Sequence, residues 1–338
     1  MNASNCALAT ILGLSAFLAL SGDTKADEPL ELNLVETTRV WGQSPHCAFT
    51  DLVRWRDGWY CGFREGEGHA GDRGWLRILH SQDAKNWVSV AKIDDDEFDL
   101  RDAALSVTPD DRLLVVAGSQ HTVDGERSTG TFAALSDDGE TFSEPVRIFP
   151  QGRWMWRVTW HNGTGYGVSY SAYADYPTTQ LVTTKDGLEY DIAMNEMLSS
   201  GWPTEARIRF AKDGTAYCLQ RVDRDKTTSL LGKAVSPYTE WTWTDLGQRV
   251  GGPNFVELPN GRWVGCGRLT VDGTSRTVVF ELDLDAGKIQ PLVQLPSGGD
   301  SSYPGMVVYD GELYISYYSS HEGSTSIYLA RLELDAPE

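Results

Sequence analysis

The chain has 338 residues with a formal net charge of −19, 34 glycines and 11% aromatic residues. A surface this acidic repels phosphate backbones and anionic lipids, so we expect neither nucleic acid nor a membrane as a partner of the mature chain. The glycine and aromatic content is typical of a globular protein rich in turns and strands, and it excludes a disordered chain.

The first element along the chain is an apolar run over residues 7–20, which a polar stretch follows. The run is too short to predict a membrane span and is typical of a secretory signal peptide, with cleavage near Ala26. No Lys or Arg precedes it, so an uncleaved N-terminal anchor is the alternative. We therefore predict a signal peptide over residues 1–26, a single domain over 27–338, and a secreted or periplasmic protein.

Four cysteines remain after removal of residues 1–26: Cys47, Cys61, Cys218 and Cys266. An even number in an exported chain allows disulfides, with three possible connectivities. Three of the four lie inside apolar, strand-like runs, and their spacing matches no zinc-binding pattern. We expect buried free thiols, with disulfides as the alternative.

A turn signal recurs through the mature chain at intervals of 47 to 53 residues. The pairs are Asp57-Gly58, Asp110-Asp111, Asn162-Gly163, Asp213-Gly214, Asn260-Gly261 and Asp310-Gly311. Asp-Gly and Asn-Gly between β-branched and aromatic runs favour tight hairpins, because both turn residues adopt positive φ readily. Each unit holds two further strand-like runs, so six units of four strands predict an all-β, six-bladed propeller of antiparallel blades.

The last repeat unit is short of one strand after residues 327–334. The early segment over residues 30–40 has a strand-like pattern and belongs to no other unit. We therefore predict that this N-terminal strand completes the blade formed by residues 303–334 and closes the ring. A β-sandwich is the alternative fold, but six nearly equal periods favour the propeller.

A second repeat marks the outer part of three units. Residues 81–87 (SQDAKNW) align with 136–142 (SDDGETF) and, more loosely, with 184–190 (TKDGLEY). The shared form is S/T-x-D-G-x-x-aromatic, in which the Asp accepts backbone N–H bonds and the aromatic ring packs between sheets. In this motif the chain resembles the sialidase superfamily, whose propellers carry it as the Asp-box or BNR repeat. The resemblance spans the mature chain and implies the fold rather than the chemistry, since propellers of other functions carry the box.

Three arginines occupy one repeat position, seven or eight residues after the turn: Arg64, Arg221 and Arg268. Equivalent positions of different blades face one axial funnel, so we expect the three guanidiniums to converge. Converging cations repel unless an anion lies between them, and the planar guanidinium binds a carboxylate bidentately. Three separate ion pairs, with acids such as Glu65 and Asp223, are the alternative.

Asp102, Glu205 and Tyr303 share a second repeat position, seven or eight residues before the turn. The resemblance to sialidases implies Tyr303 as nucleophile, Glu205 as its base, Asp102 as acid/base and the arginines as a clamp for the sugar carboxylate. The usual Phe-Arg-Ile-Pro motif is replaced by residues 63–66 (FREG). The long gap between Arg64 and Asp102 leaves His69 and Asp72, in the 65–74 loop, as rival acids.

Together these residues predict an exo-acting glycoside hydrolase that removes a terminal acidic sugar, most simply sialic acid, by a retaining mechanism. The substrate partner is an acidic glycan, and we expect no metal or organic cofactor. The alternatives are a glycosidase or lyase acting on uronic-acid glycans, and a non-catalytic carbohydrate-binding propeller.

Overall fold

The structure is a computed structural model that describes Met1 and residues 29–334, apart from 124–125, 173 and 225–227. The predicted signal peptide therefore lies, except for Met1, outside the described residues. The compact unit Glu31–Glu338 is built from β-strands and contains no helix among the residues described. Among the described residues, no helix has the length and apolar character that crossing a membrane requires.

The described part of this unit contains twenty-five strands. In chain order they are β1 (Leu32–Trp41), β2 (His46–Trp55), β3 (Gly58–Gly66), β4 (Trp75–Ser81), β5 (Val88–Ile93), β6 (Asp99–Val107), β7 (Leu113–Val123), β8 (Glu126–Ser136), β9 (Val146–Arg147), β10 (Arg153–Met155), β11 (Thr159–His161), β12 (Thr164–Ser171), β13 (Thr179–Thr184), β14 (Tyr190–Leu198), β15 (Pro203–Phe210), β16 (Ala216–Val222), β17 (Leu230–Ala234), β18 (Thr242–Asp245), β19 (Gly251–Glu257), β20 (Trp263–Val271), β21 (Thr274–Asp283), β22 (Lys288–Gln294), β23 (Ser301–Tyr309), β24 (Glu312–Ser319) and β25 (Ser326–Leu334).

These strands form six antiparallel sheets, one per repeat unit, which confirms the predicted six-bladed propeller. Blades 1, 2, 4 and 5 run outward as β2–β5, β6–β9, β15–β18 and β19–β22. In blade 3 the innermost strand is split into β10 and β11, and both pair with β12 before β13 and β14 follow. Blade 6 runs β23-β24-β25-β1, so the N-terminal strand closes the ring as predicted.

Every predicted turn joins an innermost strand to the second strand of its blade. Asn162-Gly163 and Asp310-Gly311 have positive φ at both residues, as a two-residue hairpin requires. In blade 1 the positive-φ pair is Arg56-Asp57, one residue earlier than predicted, because Trp55 pairs with Gly58. The six turns therefore mark one end of the propeller.

The aspartates of the second repeat form the predicted turns between outer strands. Asp83, Asp138 and Asp186 each accept two backbone N–H bonds, at 2.7–2.9 Å. Asp283 of blade 5 accepts the same pair of bonds, from Asp285 and Ala286. Sequence comparison missed this fourth turn because the residues around Asp283 lack the Ser/Thr and the aromatic residue of the motif.

A β-bulge recurs near the start of five innermost strands, at the end opposite the turns. In β2, β6, β15, β19 and β23, two residues lie opposite one of the partner strand. The first bulge residue has positive φ in four of them: Phe49 (62°), Asp102 (58°), Gly252 (59°) and Tyr303 (55°). Bulges re-aim a side chain away from its regular direction. They bring equivalent positions of different blades to one end of the axis.

The core lies between neighbouring blades and also holds the cysteines. One cluster joins blades 1 and 2 through side chains such as Trp55, Ile78, Leu105 and Phe132. All four cysteines among the described residues are buried free thiols, which confirms the expectation. Burial raises the pKa of the Cys47 thiol to about 12, so the thiol is protonated at neutral pH.

Candidate active site

Tyr303 and Glu205 form the centre of the bulge end. The Tyr303 hydroxyl donates a hydrogen bond to Glu205 Oε1. Arg221 Nη1 lies 2.7 Å from the same carboxylate oxygen and 3.2 Å from the Tyr303 oxygen. The backbone N–H of Gly252 donates to Glu205 Oε2 at 2.8 Å. Glu205 is therefore fixed at both oxygens, with one of them directed at the phenol.

The environment of Tyr303 keeps its hydroxyl protonated. Burial raises the pKa of Tyr303 above its ordinary value, and the negative charge of Glu205 raises it further, against the lowering effects of Arg221 and Arg268. Burial acts to lower the pKa of Arg221, but Glu205 and Tyr303 more than offset it, so this guanidinium stays charged. A protonated phenol is a weak nucleophile, and it needs an adjacent base.

Gly252 lets Tyr303 occupy its position. A Cβ atom on Gly252 would lie 2.7 Å from Tyr303 Cδ2 and 3.0 Å from Tyr303 Cα. Contacts that short force a neighbour to move, and the backbone of Tyr303 is part of the bulge. The glycine is thus required for the close approach of β19 to β23, in addition to its own positive φ.

Arg268 also lies close to Tyr303. Its Cζ atom is 5.7 Å from the centre of the Tyr303 ring, and its Nη1 donates to the Ser301 carbonyl at 3.3 Å. Burial acts to lower the pKa of Arg268, but Tyr303, Tyr318 and Glu205 more than offset it. Two of the three predicted arginines, Arg221 and Arg268, therefore flank Tyr303.

Arg64 does not join them, which corrects the predicted three-arginine clamp. Its side chain is fully buried, and Nε bonds Asp99 at 2.6 Å. Nη1 donates to the Gly68 carbonyl at 2.8 Å, and Nη2 lies 3.3 Å from an Asp72 oxygen. Within the described residues, no hydrogen bond or ion pair links Arg64 to the group around Tyr303. Arg64 occupies the repeat position equivalent to those of Arg221 and Arg268. Its guanidinium is nevertheless bound by Asp99 and by the loop over residues 67–72.

Arg101 is an arginine that the sequence analysis missed. It is 7% exposed, and its Cζ lies 4.8 Å from the centre of the Phe49 ring, which in turn packs 5.2 Å from the Tyr303 ring. Its nearest acid is Asp99 at 4.0 Å, and its buried Nε has no hydrogen-bond partner among the residues described. The sequence feature that could have identified Arg101 is its position directly before Asp102, at the same β-bulge. Arg101 lies on an innermost strand, whereas the three predicted arginines lie on second strands of their blades.

Asp102 is half-buried at the same end of the axis. Trp154 Nε1 donates to Asp102 Oδ2 at 3.1 Å. Burial raises the pKa of Asp102 to about 6, with Glu205 adding to the rise while Arg101 and Arg157 oppose it. A carboxyl group with this pKa can donate a proton below pH 6 and accept one above, as an acid/base catalyst must.

The rival acids are less well suited. Asp72 accepts the backbone N–H of Glu67 at 2.7 Å and an Arg64 bond at 3.3 Å. Partial burial acts to raise the pKa of Asp72, but these partners more than offset it, so the pKa lies below its ordinary value. His69 is 53% exposed, and its Nδ1 lies 2.6 Å from Asp300 Oδ2. The surroundings of Asp102 therefore suit an acid/base catalyst better than those of Asp72 or His69.

His69, His46 and Asp300 form a group whose ligand atoms lie within 4.8 Å of one another. Such spacing suits a metal ion, although the two imidazoles already share Asp300 Oδ2, at 3.0 and 2.6 Å. Tyr318 donates to the other Asp300 oxygen at 2.8 Å. These hydrogen bonds account for the cluster as part of the wall beside Arg268, and the chemistry around Tyr303 does not require it.

No family model matches the sequence, and no curated protein matches it at the sequence level. Solved structures do match. A protein of unknown function from Dyadobacter fermentans has a TM-score of 0.79 and 16% identity over 90% of this chain and 99% of its own. Trypanosoma rangeli sialidase in complex with sialic acid has a TM-score of 0.68 and 14% identity over 88% of this chain and 57% of its own.

A third match is an α-l-arabinofuranosidase from Fusarium graminearum, with a TM-score of 0.67 and 12% identity over 89% of this chain and 98% of its own. At these identities the likeness is one of fold. The protein therefore has the six-bladed propeller fold found in sialidases and in an arabinofuranosidase. A shared fold does not fix the chemistry of the residues at the bulge end, which depends on their own geometry.

Proposed function

We propose that this protein is a retaining glycoside hydrolase that removes a terminal acidic sugar, most simply sialic acid, with Tyr303 as the nucleophile. The observation that carries the proposal is the hydrogen bond from the Tyr303 hydroxyl to Glu205, in a buried site flanked by two arginines. A plain structural tyrosine has no need of a carboxylate partner and two cations at once.

In the first step, Tyr303 Oη attacks the anomeric carbon while its proton passes to Glu205. Asp102, in its protonated form, gives its proton to the departing glycosidic oxygen, so the aglycone leaves as a neutral alcohol. The product is a sugar joined to Tyr303 through an aryl ether-type bond, with Glu205 protonated and Asp102 ionised. Arg221 and Arg268 bind the sugar carboxylate.

In the second step, Asp102 takes a proton from water, whose oxygen attacks the anomeric carbon. The bond to Tyr303 breaks, and the phenolate recovers its proton from Glu205. Two displacements at one carbon restore the original configuration, which defines a retaining mechanism. The chemistry uses no metal or organic cofactor.

Charge explains why a tyrosine suits this substrate. The anomeric carbon of a sialic acid carries a carboxylate, so an anionic nucleophile would approach it against repulsion. A neutral phenol avoids that repulsion, and Glu205 activates it. The fold match to a T. rangeli sialidase described with 2,3-difluorosialic acid as a covalent intermediate is consistent with a covalent step here.

A uronic-acid glycan is the second candidate substrate. Arg64 is engaged by Asp99 and Asp72. Arg221 also pairs with Asp223, and Arg268 lies 3.8 Å from Asp300, but both guanidiniums lie close to Tyr303 and could bind a substrate carboxylate there. A clamp that differs from the predicted triad suits a carboxylate held at a different place on the sugar ring. The same set of acid, base and arginines would serve a uronide.

The test is turnover of fluorogenic sialosides and uronides by the purified protein, with the anomer of the released sugar followed by NMR. We expect hydrolysis of one of these classes with retention, and loss of hydrolysis in Glu205→Gln. Inversion of configuration, or full activity of Glu205→Gln, would contradict the proposal. Binding without turnover would favour the non-catalytic alternative.

A further inference from the structure

A cavity lies along the propeller axis, nearer the turn end than Tyr303. Its volume is about 260 Å³, and the innermost strands of blades 1, 2, 4, 5 and 6 line it. Three arginines face it, Arg54 from β2 and Arg207 and Arg209 from β15, together with Asp51. Aliphatic side chains of β6, β19 and β23 make up the rest of the wall.

The charges around this cavity do not balance. Asp51 is its only lining acid. That carboxylate forms an ion pair with a further arginine, Arg157, which also donates to the carbonyls of Thr50 and Pro304 at 3.0 and 3.1 Å. Within the described part of the chain, Arg54, Arg207 and Arg209 have no carboxylate within ion-pair distance. Three arginines and one aspartate therefore line the cavity, and the aspartate is paired with a fourth arginine, in a protein whose net charge is −19.

Arg207 is the least compensated of these cations. It is 6% exposed, and its one hydrogen bond is a long contact of 3.5 Å from Nη1 to the Val158 carbonyl. Its Nε is buried and has no partner among the residues that the structure describes. Burial lowers the pKa of Arg207 well below its ordinary range, and the charges of Arg209 and Arg157 lower it further. A buried cation without a counter-charge is costly to the folded state.

Arg209 and Arg54 are also incompletely paired. Arg209 Nε donates to the Phe255 carbonyl at 2.7 Å, and Nη2 lies 3.4 Å from Asn254 Oδ1, so both partners are neutral. The Arg54 guanidinium stacks 3.8 Å from the Tyr309 ring centre, while its buried Nε lacks a partner in the described residues. Guanidinium groups hold oxyanions through paired N–H donors.

We propose that this cavity, which Arg207, Arg209 and Arg54 line, binds a small oxyanion of the sulfate, phosphate or carboxylate type beside Arg207. The ion would supply the counter-charge that the Arg207 guanidinium lacks. The volume of about 260 Å³ equals that of roughly nine waters at about 30 Å³ each, so a hydrated tetrahedral ion fits. The site is separate from Tyr303 and Glu205, and it does not depend on the proposed enzymatic activity.

The experiment compares wild type, Arg207→Met and, as a matched control, Arg112→Met, in which a solvent-facing arginine paired with Asp110 is lost. Thermal unfolding is followed in sulfate, phosphate and acetate at about 5 mM, against sodium chloride of equal ionic strength, and binding is measured by titration calorimetry. Low concentrations keep general salt effects on burial small.

We expect sulfate or phosphate to raise the Tm of wild type and Arg112→Met by about 2–5 °C above chloride, because a ligand of the folded state stabilises it. A rise with acetate alone would assign the site to a carboxylate. Arg207→Met should lose the response and unfold in chloride no earlier than wild type, because the uncompensated charge is gone. Equal shifts in all three proteins, or no binding heat with wild type, would overturn the proposal. If Arg207→Met does not fold, the calorimetry on wild type decides.

Discussion

The hydroxyl of Tyr303 bonds the carboxylate of Glu205 across 98 positions of sequence. Both residues stand near the start of an innermost strand, β23 for the phenol and β15 for the acid. Burial and the Glu205 charge raise the pKa of Tyr303. The shared proton therefore stays on the phenol and moves to the Glu205 carboxylate only when Tyr303 reacts. The account of catalysis rests on this relationship.

Asp102→Asn should remove acid assistance while keeping the backbone, because Asn tolerates the positive φ of 58° at this position. We expect a loss of about 100-fold or more in kcat/KM for glycosides with alcohol leaving groups, and a much smaller loss for aryl glycosides with good leaving groups. In wild type, kcat/KM should fall as the pH rises through about 6, since the acid must be protonated. Steady-state kinetics from pH 4 to 8 check both effects, and an unchanged profile in the variant would exclude Asp102 as the acid.

The same substitution should change stability with pH. The folded-state pKa of Asp102 is raised to about 6, so ionisation costs the native state free energy that is absent below pH 4 and complete above pH 6. Asn carries no charge at any pH. The free energy of unfolding of Asp102→Asn should therefore exceed that of wild type by about 3 kcal/mol at pH 8 and match it near pH 4. Urea unfolding at the two pH values measures the difference. A constant offset would mean that Asp102 does not titrate as described.

Arg268→Lys and Arg64→Lys should behave differently, because only Arg268 flanks Tyr303. The Arg268 change removes the planar fork, so KM for the acidic sugar should rise at least about tenfold, with the unfolding free energy nearly unchanged. The Arg64 change disturbs buried bonds to Asp99 and Gly68, and should lower the unfolding free energy by about 2 kcal/mol or more. Kinetics and denaturant titration of both variants separate the roles. A tenfold KM effect in Arg64→Lys as well as in Arg268→Lys would restore the predicted clamp.

Gly252→Ala tests whether the close approach of β19 positions Tyr303. Its Cβ would meet the Tyr303 ring at 2.7 Å, whereas a Cβ on Gly261 would meet nothing within 4 Å. Both glycines have positive φ, 59° and 84°, so Ala at either position costs backbone strain of about 1 kcal/mol. We expect kcat to fall about 100-fold in Gly252→Ala and to stay near wild type in Gly261→Ala. Equal activities would show that the ring position does not depend on Gly252.

The fold could be predicted because its signals are local and repeated. Turn pairs and the aspartate motif recur in successive units, and each specifies a hairpin from a few neighbouring residues. The positions of Tyr303, Glu205 and Arg221 followed from the same repeats, since equivalent positions of different blades face one axis.

The predicted site was wrong at positions where the contacts of a side chain depend on one loop or one β-bulge. Repeat position places Arg64 at the right end of its blade, but it carries no information about Asp99 of the next blade or the loop holding Gly68 and Asp72. Arg101 was missed because the bulge in β6 changes which side chains reach the axis. The uncompensated Arg207 was missed because charge balance along the axis depends on all six blades.

The most direct measurement of the central claim is the site of covalent labelling by a fluorinated glycosyl donor of the sugar class that the protein hydrolyses. Fluorine slows breakdown of a covalent intermediate, so intact-mass and peptide-mapping spectrometry can locate it. The account predicts a mass increase of one fluorosugar on the peptide that contains Tyr303, and no such increase in Tyr303→Phe, which should still bind the sugar because Arg221 and Arg268 are intact. Labelling of Glu205 or Asp102, or full turnover by Tyr303→Phe, would contradict it.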